Sequence, residues 1–122
     1  MKPYFVQATV KTPEISIDYD ESVIKVAGRA MSDNCADFFA ETVENIRSNM
    51  ANMPKALTFV VQLEYCNSQC SKGLYKLMVF LRDNHTLPMK VEWRYELDDD
   101  FVLDLGQELE KMSGEKFNFK GI

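Results

Sequence analysis

The N-terminal third of the chain has hydrophobic residues at every second position, which is typical of β-strands with one buried face. Residues 14–19 and residues 23–28 follow this pattern. The turn Asp20-Glu21-Ser22 separates them, so we predict an antiparallel hairpin. The β-prone residues 4–10 precede the hairpin and are expected to form an extended lead-in or an edge strand. Thr12-Pro13 restricts the backbone between them and prevents a helix there.

Three later segments have hydrophobic residues at helical spacing. The first follows the potential N-cap residues Ser32-Asp33-Asn34 and runs to about Met50. The second covers approximately residues 69–84. The third opens at Asp98-Asp99-Asp100 and ends at Ser113-Gly114. In the third helix we expect a buried stripe made of Phe101, Val102, Leu105, Leu109 and Met112.

Strand-like segments lie between these helices. Residues 56–65 begin almost continuously apolar, which predicts a central strand covered on both faces. Gln62 and Glu64 mark the point near its C-terminal end where one face becomes polar. Residues 89–96 alternate between apolar and polar side chains, and Phe117 and Phe119 could form a short last strand. Strand–helix–strand connections predict parallel pairing with right-handed crossovers. The sequence therefore predicts an α/β fold: one domain over residues 1–122, with a mixed β-sheet, an N-terminal antiparallel hairpin, central parallel strands and about three helices.

The composition narrows the class of protein. A chain of 122 residues with 46% hydrophobic residues fits one compact domain. The net charge of −5 argues against a nucleic-acid partner, because such proteins usually carry a basic patch. No apolar h-region begins the chain, and no run approaches the ~18 apolar residues of a membrane span. We expect a cytoplasmic protein without a membrane partner.

The three cysteines are Cys35, Cys66 and Cys70. An odd, small number of cysteines in a cytoplasmic chain suggests reduced thiols, packed as small hydrophobic side chains. With His85 as the only histidine and no second cysteine pair, a tetrahedral zinc site would lack ligands. We therefore expect no metal and no cofactor.

No nucleophile elbow, P-loop or dinucleotide-binding motif is present, so we predict no catalytic residue. His85 is interpreted as a residue at the C-terminal end of a helix, where the helix dipole favours positive charge. Asp98-Asp99-Asp100 is interpreted as an acidic first turn, with some carboxylates available for docking a basic partner. A small enzyme that uses Asp98–Asp100 with a metal, or the Cys70 thiol, stays an alternative. A constitutive interaction scaffold is another.

The segment from Leu63 to Lys72 brings hydroxyl side chains to the start of a helix. Unpaired backbone N–H groups and the positive end of the helix dipole gather there, and a phosphate would add roughly −1.5 to −2 charges. Asn67 and Ser68 are also good caps that need no further function. The loop lies where open α/β sheets place binding sites, and Lys72 follows Ser68 by one turn. We interpret Ser68 as a switch residue.

The chain resembles the SiaC family of bacterial regulatory phosphoproteins, whose fold is similar to the anti-sigma-factor-antagonist (STAS, SpoIIAA-like) domain. The matching segments keep the order and spacing of the family over nearly the whole chain. They are Thr12-Pro13-Glu14, Gly28-Arg29-Ala30-Met31-Ser32-Asp33-Asn34 followed by Phe38-Phe39, Leu63-Glu64-Tyr65-Cys66-Asn67-Ser68 with Ser71-Lys72, Trp93-Arg94-Tyr95, and the acidic run into Gly106-Gln107.

The resemblance implies a protein that is not an enzyme. It would be phosphorylated by a serine/threonine kinase, dephosphorylated by a PP2C-type phosphatase and, when unphosphorylated, would bind an effector such as a diguanylate cyclase. The acceptor is the hydroxyl residue directly after the motif's asparagine, here Ser68. Family members commonly have threonine followed by two serines, whereas this chain has Ser68, Gln69 and Cys70, so Ser71 becomes a rival acceptor. We expect Asn67, Gln69, Cys70, Ser71 and Lys72 to lie beside the phosphate or the partner.

Overall fold

The computed structural model describes residues 2–122, which form one six-stranded β-sheet and three α-helices. The α/β class and the mixed sheet predicted from the sequence are confirmed. In chain order, the elements are β1 (Tyr4–Val6), β2 (Glu14–Asp18), β3 (Val23–Ala30), α1 (Cys35–Asn49) with a 3-10 turn (Met50–Asn52), β4 (Leu57–Cys66), α2 (Ser68–Asn84), β5 (Met89–Tyr95), α3 (Asp100–Ser113) and β6 (Phe117–Gly121).

The strands follow one another across the sheet in the order in which they occur in the chain. β1 pairs antiparallel with β2 and β2 with β3, as the hairpin predicts, and the pairs from β3 to β6 are parallel. Each parallel pair is joined by a helix. Right-handed crossovers that always step in the same direction place all their helices on the same face of the sheet.

The hydrophobic core lies between the sheet and the helices, on that one face. In β4 the core side chains are Leu57, Phe59, Val61 and Leu63, which alternate with residues of the opposite face. Gln62 is half-buried and Glu64 exposed, as expected for the end where one face becomes polar. On the face opposite the core, Val60 is buried but lies outside the core cluster. The prediction that this strand is covered on both faces is therefore wrong, because the sequential strand order leaves no helix for the second face.

The opposite face of the sheet carries a charged network on its last strands. Glu92 accepts a hydrogen bond from Arg94 at 2.5 Å and pairs with Lys120 at 3.3 Å, and Arg94 also donates to Gln62 at 3.3 Å. The hydrogen bond from Arg94 is the largest cause of a lowered pKa of the Glu92 carboxyl. Charged side chains of this kind make the face compatible with water.

Two helical glycines allow close packing of the helices. A Cβ on Gly73 of α2 would lie 2.7 Å from the ring of Phe39 in α1. A Cβ on Gly106 of α3 would lie 2.5 Å from Nε1 of Trp93 in β5. Real Cβ atoms essentially never come so close, so both helices depend on glycine at these positions. Trp93 is completely buried, and its Nε1–H donates to the carbonyl oxygen of Val102 at 3.0 Å.

Candidate functional site

A β-bulge shapes the end of β4, just before the candidate site. Gly28 of β3 faces Leu63, but the next residue, Arg29, faces Tyr65, so Glu64 is the extra residue. The extra residue reverses the alternation of faces. Tyr65 consequently points outward and is 43% exposed, whereas Cys66 is buried. The bulge thus sets the orientation in which the chain enters α2.

Asn67 caps α2, and Ser68 is the first residue of that helix. The Asn67 side chain accepts a hydrogen bond from the Cys70 N–H at 2.8 Å and donates to the Ser32 carbonyl oxygen at 3.4 Å. Ser68 is exposed, and within residues 2–122 its hydroxyl has no hydrogen-bond partner. The hydroxyl therefore lies at the positive end of a 17-residue helix and is open to solvent.

The hydroxyl of Ser71, the alternative acceptor, has a different environment. The Ser71 Oγ donates a hydrogen bond to the Ser68 carbonyl oxygen at 2.9 Å, and the residue is only half-exposed. A phosphate on Ser71 would require this bond to break and the side chain to turn outward. Gln69 and Lys72 are exposed on either side. Of the two hydroxyls, that of Ser68 is therefore the more accessible.

A groove of about 610 Å³ begins at Ser68 and runs between α2 and α3. We call it the α2–α3 groove. Its lining residues are Cys66, Asn67, Ser68, Ser71, Lys72, Tyr75 and Lys76 on one side, and Phe101, Asp104, Leu105, Glu108, Leu109 and Met112 on the other. Most of this surface is apolar, and the hydroxyl of Tyr75 donates to the Met112 carbonyl oxygen at 3.3 Å, which connects the two walls.

Two residues of the predicted buried stripe of α3 are exposed in the structure. Val102 and Leu109 are buried as expected, but Phe101 is 58% exposed and Met112 is 53% exposed. Both line the groove, and the Phe101 ring stacks on Tyr65 with 6.2 Å between centroids. The apolar stripe of α3 is wider than its contact with the sheet, so its outer residues remain on the surface. Exposed aromatic side chains beside a groove are typical of a protein-binding surface.

The charges along the groove are divided between its walls. Lys72 and Lys76 belong to α2, whereas Asp104 and Glu108 belong to α3. Lys72 is exposed and lies on the same helix as Ser68, one turn farther along. A phosphate at Ser68 would therefore have Lys72 one turn away on its own helix and carboxylates on the opposite wall.

The acidic run before α3 acts first as a helix start. Asp99 is the N-cap residue and accepts a hydrogen bond from the Val102 N–H at 3.0 Å, which confirms the capping interpretation. Asp98 and Asp100 are exposed in solvent. Among residues 2–122, no group of three or more histidine, cysteine, aspartate and glutamate side chains is arranged to hold a metal ion. His85 follows the last residue of α2, as predicted, and its Nε2 lies 3.0 Å from the Lys55 carbonyl oxygen.

The cysteines differ from the expectation of three reduced thiols. Cys35 and Cys70 form a disulfide with 5.0 Å between their Cα atoms, and only Cys66 is a free thiol. The prediction failed because the pairing depends on how α1 and α2 lie side by side, which the sequence spacing does not reveal. Burial raises the pKa of the Cys66 thiol to about 12. In this structure Cys70 is disulfide-bonded and fully buried, so it presents no accessible thiol, which counts against the thiol-dependent enzyme.

The family model for "SiaC family regulatory phosphoprotein" matches residues 6–122. This match covers nearly the whole chain, including both walls of the groove. The chain belongs to the SiaC family of regulatory phosphoproteins. A search of curated protein sequences finds no significant match.

Solved structures of SiaC from Pseudomonas aeruginosa have the same fold as this SiaC-family chain. The structure of apo-SiaC superposes with a TM-score of 0.84 and is 20% identical in sequence, covering 99% of this chain and 100% of the other. The structure of the diguanylate cyclase SiaD in complex with its activator SiaC gives a TM-score of 0.85 at 19% identity, covering 98% and 99%. Within residues 2–122, no helix is both long and apolar enough to span a bilayer.

Proposed function

We propose that this SiaC-family protein is a single-domain, cytoplasmic switch whose binding to an effector is controlled by phosphorylation of Ser68. A serine/threonine kinase adds the phosphate and a PP2C-type phosphatase removes it. The unphosphorylated form binds the effector through the α2–α3 groove. The supporting observation is the exposed Ser68 hydroxyl at the mouth of a largely apolar groove.

The effector is proposed to be a diguanylate cyclase. This assignment is supported by family membership together with the complex of Pseudomonas aeruginosa SiaC, described as an activator, with the cyclase SiaD. The exposed apolar residues Tyr65, Phe101 and Met112 supply the contact surface that such a partner would bury. Asp98, Asp99 and Asp100 are proposed to contact basic residues of the partner at the same end of α3.

A phosphate at Ser68 would act on this surface in two ways. It adds roughly −1.5 to −2 charges at the groove entrance, close to the wall that carries Asp104 and Glu108. It also needs hydration or hydrogen bonds, which the α2 N-terminus and Lys72 can supply locally, but a partner covering the groove would remove water from it. A penalty of about 1.4 kcal/mol already lowers the affinity tenfold. Phosphorylation is therefore expected to release the effector.

The site assignment is tested by phosphate incorporation into matched serine variants. The parent chain, Ser68→Ala and Ser71→Ala are incubated with ATP and an extract of the native host, and the phosphate is located by peptide mass spectrometry. We expect the parent and Ser71→Ala to be labelled and Ser68→Ala to remain unlabelled. Labelling of Ser68→Ala to the level of the parent would show that the acceptor lies elsewhere.

The effector assignment is tested with a purified diguanylate cyclase of the same organism. Phe101→Ala is expected to weaken binding by tenfold or more, because truncation of an aromatic anchor costs about 2 kcal/mol or more. Gln107→Ala, an exposed residue of α3 outside the groove lining, is the matched control. Unchanged affinity of Phe101→Ala, or equal binding of the parent and its Ser68-phosphorylated form, would instead favour a constitutive scaffold with a different contact surface.

A further inference from the structure

The disulfide joins the first turns of two helices beside the candidate acceptor. Cys35 is the first residue of α1 and Cys70 is the third residue of α2, two positions after Ser68. The Cys70 N–H is the group that the Asn67 side chain caps, and Asn67 also donates to Ser32, just before α1. The first turn of α2 is thus tied to the start of α1 by one covalent bond and one side-chain hydrogen bond.

Exposure of the Ser68 hydroxyl is not sufficient for phosphoryl transfer. In a kinase active site the substrate hydroxyl gives its proton to a catalytic aspartate and approaches the γ-phosphate in line with the leaving oxygen. The backbone on both sides of Ser68 must therefore enter the cleft of the kinase. Asn67 and Cys70 are held in the cap and the first turn of α2, so this turn has to open before the transfer.

We propose that Cys35 and Cys70 form a reversible thiol–disulfide switch that controls the opening of the first turn of α2 and so the access of a kinase to Ser68. The link to the kinase rests on the function proposed above. In the oxidised form the bond to α1 prevents Cys70 from leaving its place. In the reduced form the turn opens more often. The cytoplasmic location proposed above agrees with this role, because disulfides there are usually transient and either catalytic or redox-sensing.

The chemistry requires only a small thiol and its disulfide. A small thiolate attacks one of the two sulfurs, which breaks the Cys35–Cys70 bond and leaves a mixed disulfide and one free cysteine. A second small thiolate attacks the mixed disulfide and departs as the small-molecule disulfide. Both electrons and both protons gained by the two cysteines come from the two small thiols. The reverse reaction, with the small disulfide as oxidant, restores the bond.

The surroundings restrict this exchange to one pair of cysteines. Cys35 and Cys70 are fully buried, so a small thiol reaches their disulfide only when the first turns of α1 and α2 open. Cys66 is also buried, and its raised pKa keeps it a neutral thiol that does not attack the disulfide. The couple therefore has two defined states, one with a single free thiol and one with three.

The first experiment counts thiols in glutathione buffers of increasing reducing strength, by maleimide labelling after acid quenching and denaturation. We expect one labelled thiol per chain at the oxidising end and three at the reducing end, with full return on re-oxidation. Cys66→Ala is the matched control and should change from zero to two. Three thiols in every buffer, or one thiol in every buffer, would overturn the switch.

The second experiment follows amide hydrogen exchange in residues 67–72 of the oxidised and the reduced parent chain. We expect the reduced form to exchange about tenfold faster or more in this segment through local opening, whose rate does not rise in low urea. Exchange in β4 requires global unfolding, so its rate rises with urea and separates the two processes. Cys35→Ala/Cys70→Ala should exchange like the reduced parent in both buffers. Equal exchange in the oxidised and reduced parent would refute the control of the first turn, and this comparison needs no folded variant.

A third measurement connects the switch to phosphorylation and separates the two proposals. The oxidised and reduced parent are labelled with ATP and a desalted host extract, and the reduced form is expected to incorporate phosphate about tenfold faster. Equal rates would refute the control of kinase access. Thiol counts and exchange rates do not require Ser68, so Ser68→Ala should respond to glutathione as the parent does. The experiments can therefore refute the thiol–disulfide switch without refuting Ser68 as the acceptor. They can equally refute Ser68 as the acceptor without refuting the switch.

Discussion

Replacement of Gly106 by alanine tests whether α3 is held against the sheet by direct contact with Trp93. The new Cβ would lie 2.5 Å from Nε1 and 2.6 Å from Cε2 of Trp93, whereas ordinary contacts are 3.4–4 Å. Trp93 is completely buried and hydrogen-bonded to Val102, so its ring has no free space into which to move. The helix itself must shift outward by about 1 Å, in an interior packed almost like a crystal.

The magnitude follows from two opposing effects. Overpacking of a filled core costs about 1–3 kcal/mol, and alanine is favoured over glycine in a helix interior by about 1 kcal/mol. Together these effects give a net loss of about 0–2 kcal/mol in the free energy of unfolding. Because the new Cβ would lie 2.5 Å from a completely buried ring, we expect the upper half of this range, about 1–2 kcal/mol. With an m-value of about 2 kcal/mol per molar urea, in the middle of the usual range, the urea midpoint should fall by about 0.5–1 M.

The assay is equilibrium unfolding in urea, followed by the fluorescence of Trp93, the only tryptophan in the chain, and by circular dichroism. Gln107→Ala is the matched control, because this neighbouring residue is exposed and its replacement should change the stability by less than about 0.5 kcal/mol. A midpoint of Gly106→Ala equal to or above that of the parent would refute the close contact between α3 and β5.

Three further predictions concern the candidate site and the charged face of the sheet. Asn67→Ala should lower the free energy of unfolding by about 0.5–2 kcal/mol in urea, because the Cys70 N–H loses its cap, whereas Asn67→Ser should retain most of the stability. Reduction of the Cys35–Cys70 disulfide, which spans 35 residues, should cost about 2–4 kcal/mol, measured as the difference in urea midpoint with and without dithiothreitol; identical midpoints would contradict it. Because the pKa of Glu92 is lowered in the folded chain, its contribution to stability is complete above the unfolded value of 4.5 and disappears as the pH falls through the folded value. In acid titrations monitored by circular dichroism, Glu92→Gln should therefore lose less stability than the parent over this pH range.

The order and type of the elements could be predicted from the sequence, because hydrophobic periodicity reports directly on strands and helices. The hydrophobic spacing predicts a helix over residues 69–84, and α2 covers Ser68–Asn84. The hairpin of β2 and β3 and the final strand at Phe117 are also confirmed. The first strand is shorter than the β-prone segment from which it was predicted, because only Tyr4–Val6 pair with β2.

The details of the site could not be predicted, since they depend on contacts between elements. The bulge at Glu64 adds one residue to a strand without a distinctive residue type, yet it decides that Tyr65 faces outward. The exposure of Phe101 and Met112 depends on how closely α2 approaches α3, which periodicity within α3 cannot show. The acceptor position was predicted from its place at a helix start and from the family motif, and it stays a prediction until phosphate is located.

The two close glycine contacts have a consequence for the groove between the second and third helices. Because Gly73 has no side chain, α2 packs closely on Phe39 of α1, and Gly106 likewise lets α3 pack closely on Trp93 of the sheet. Each wall of the groove is therefore held by a different neighbour. The gap is therefore present without a partner, so a partner that binds in the groove would not have to move the two helices apart. An α2–α3 groove of fixed width would exclude side chains that are too large for it. Binding of a partner that fits would not carry the entropic cost of ordering the groove. Binding would then resemble lock-and-key recognition more than induced fit.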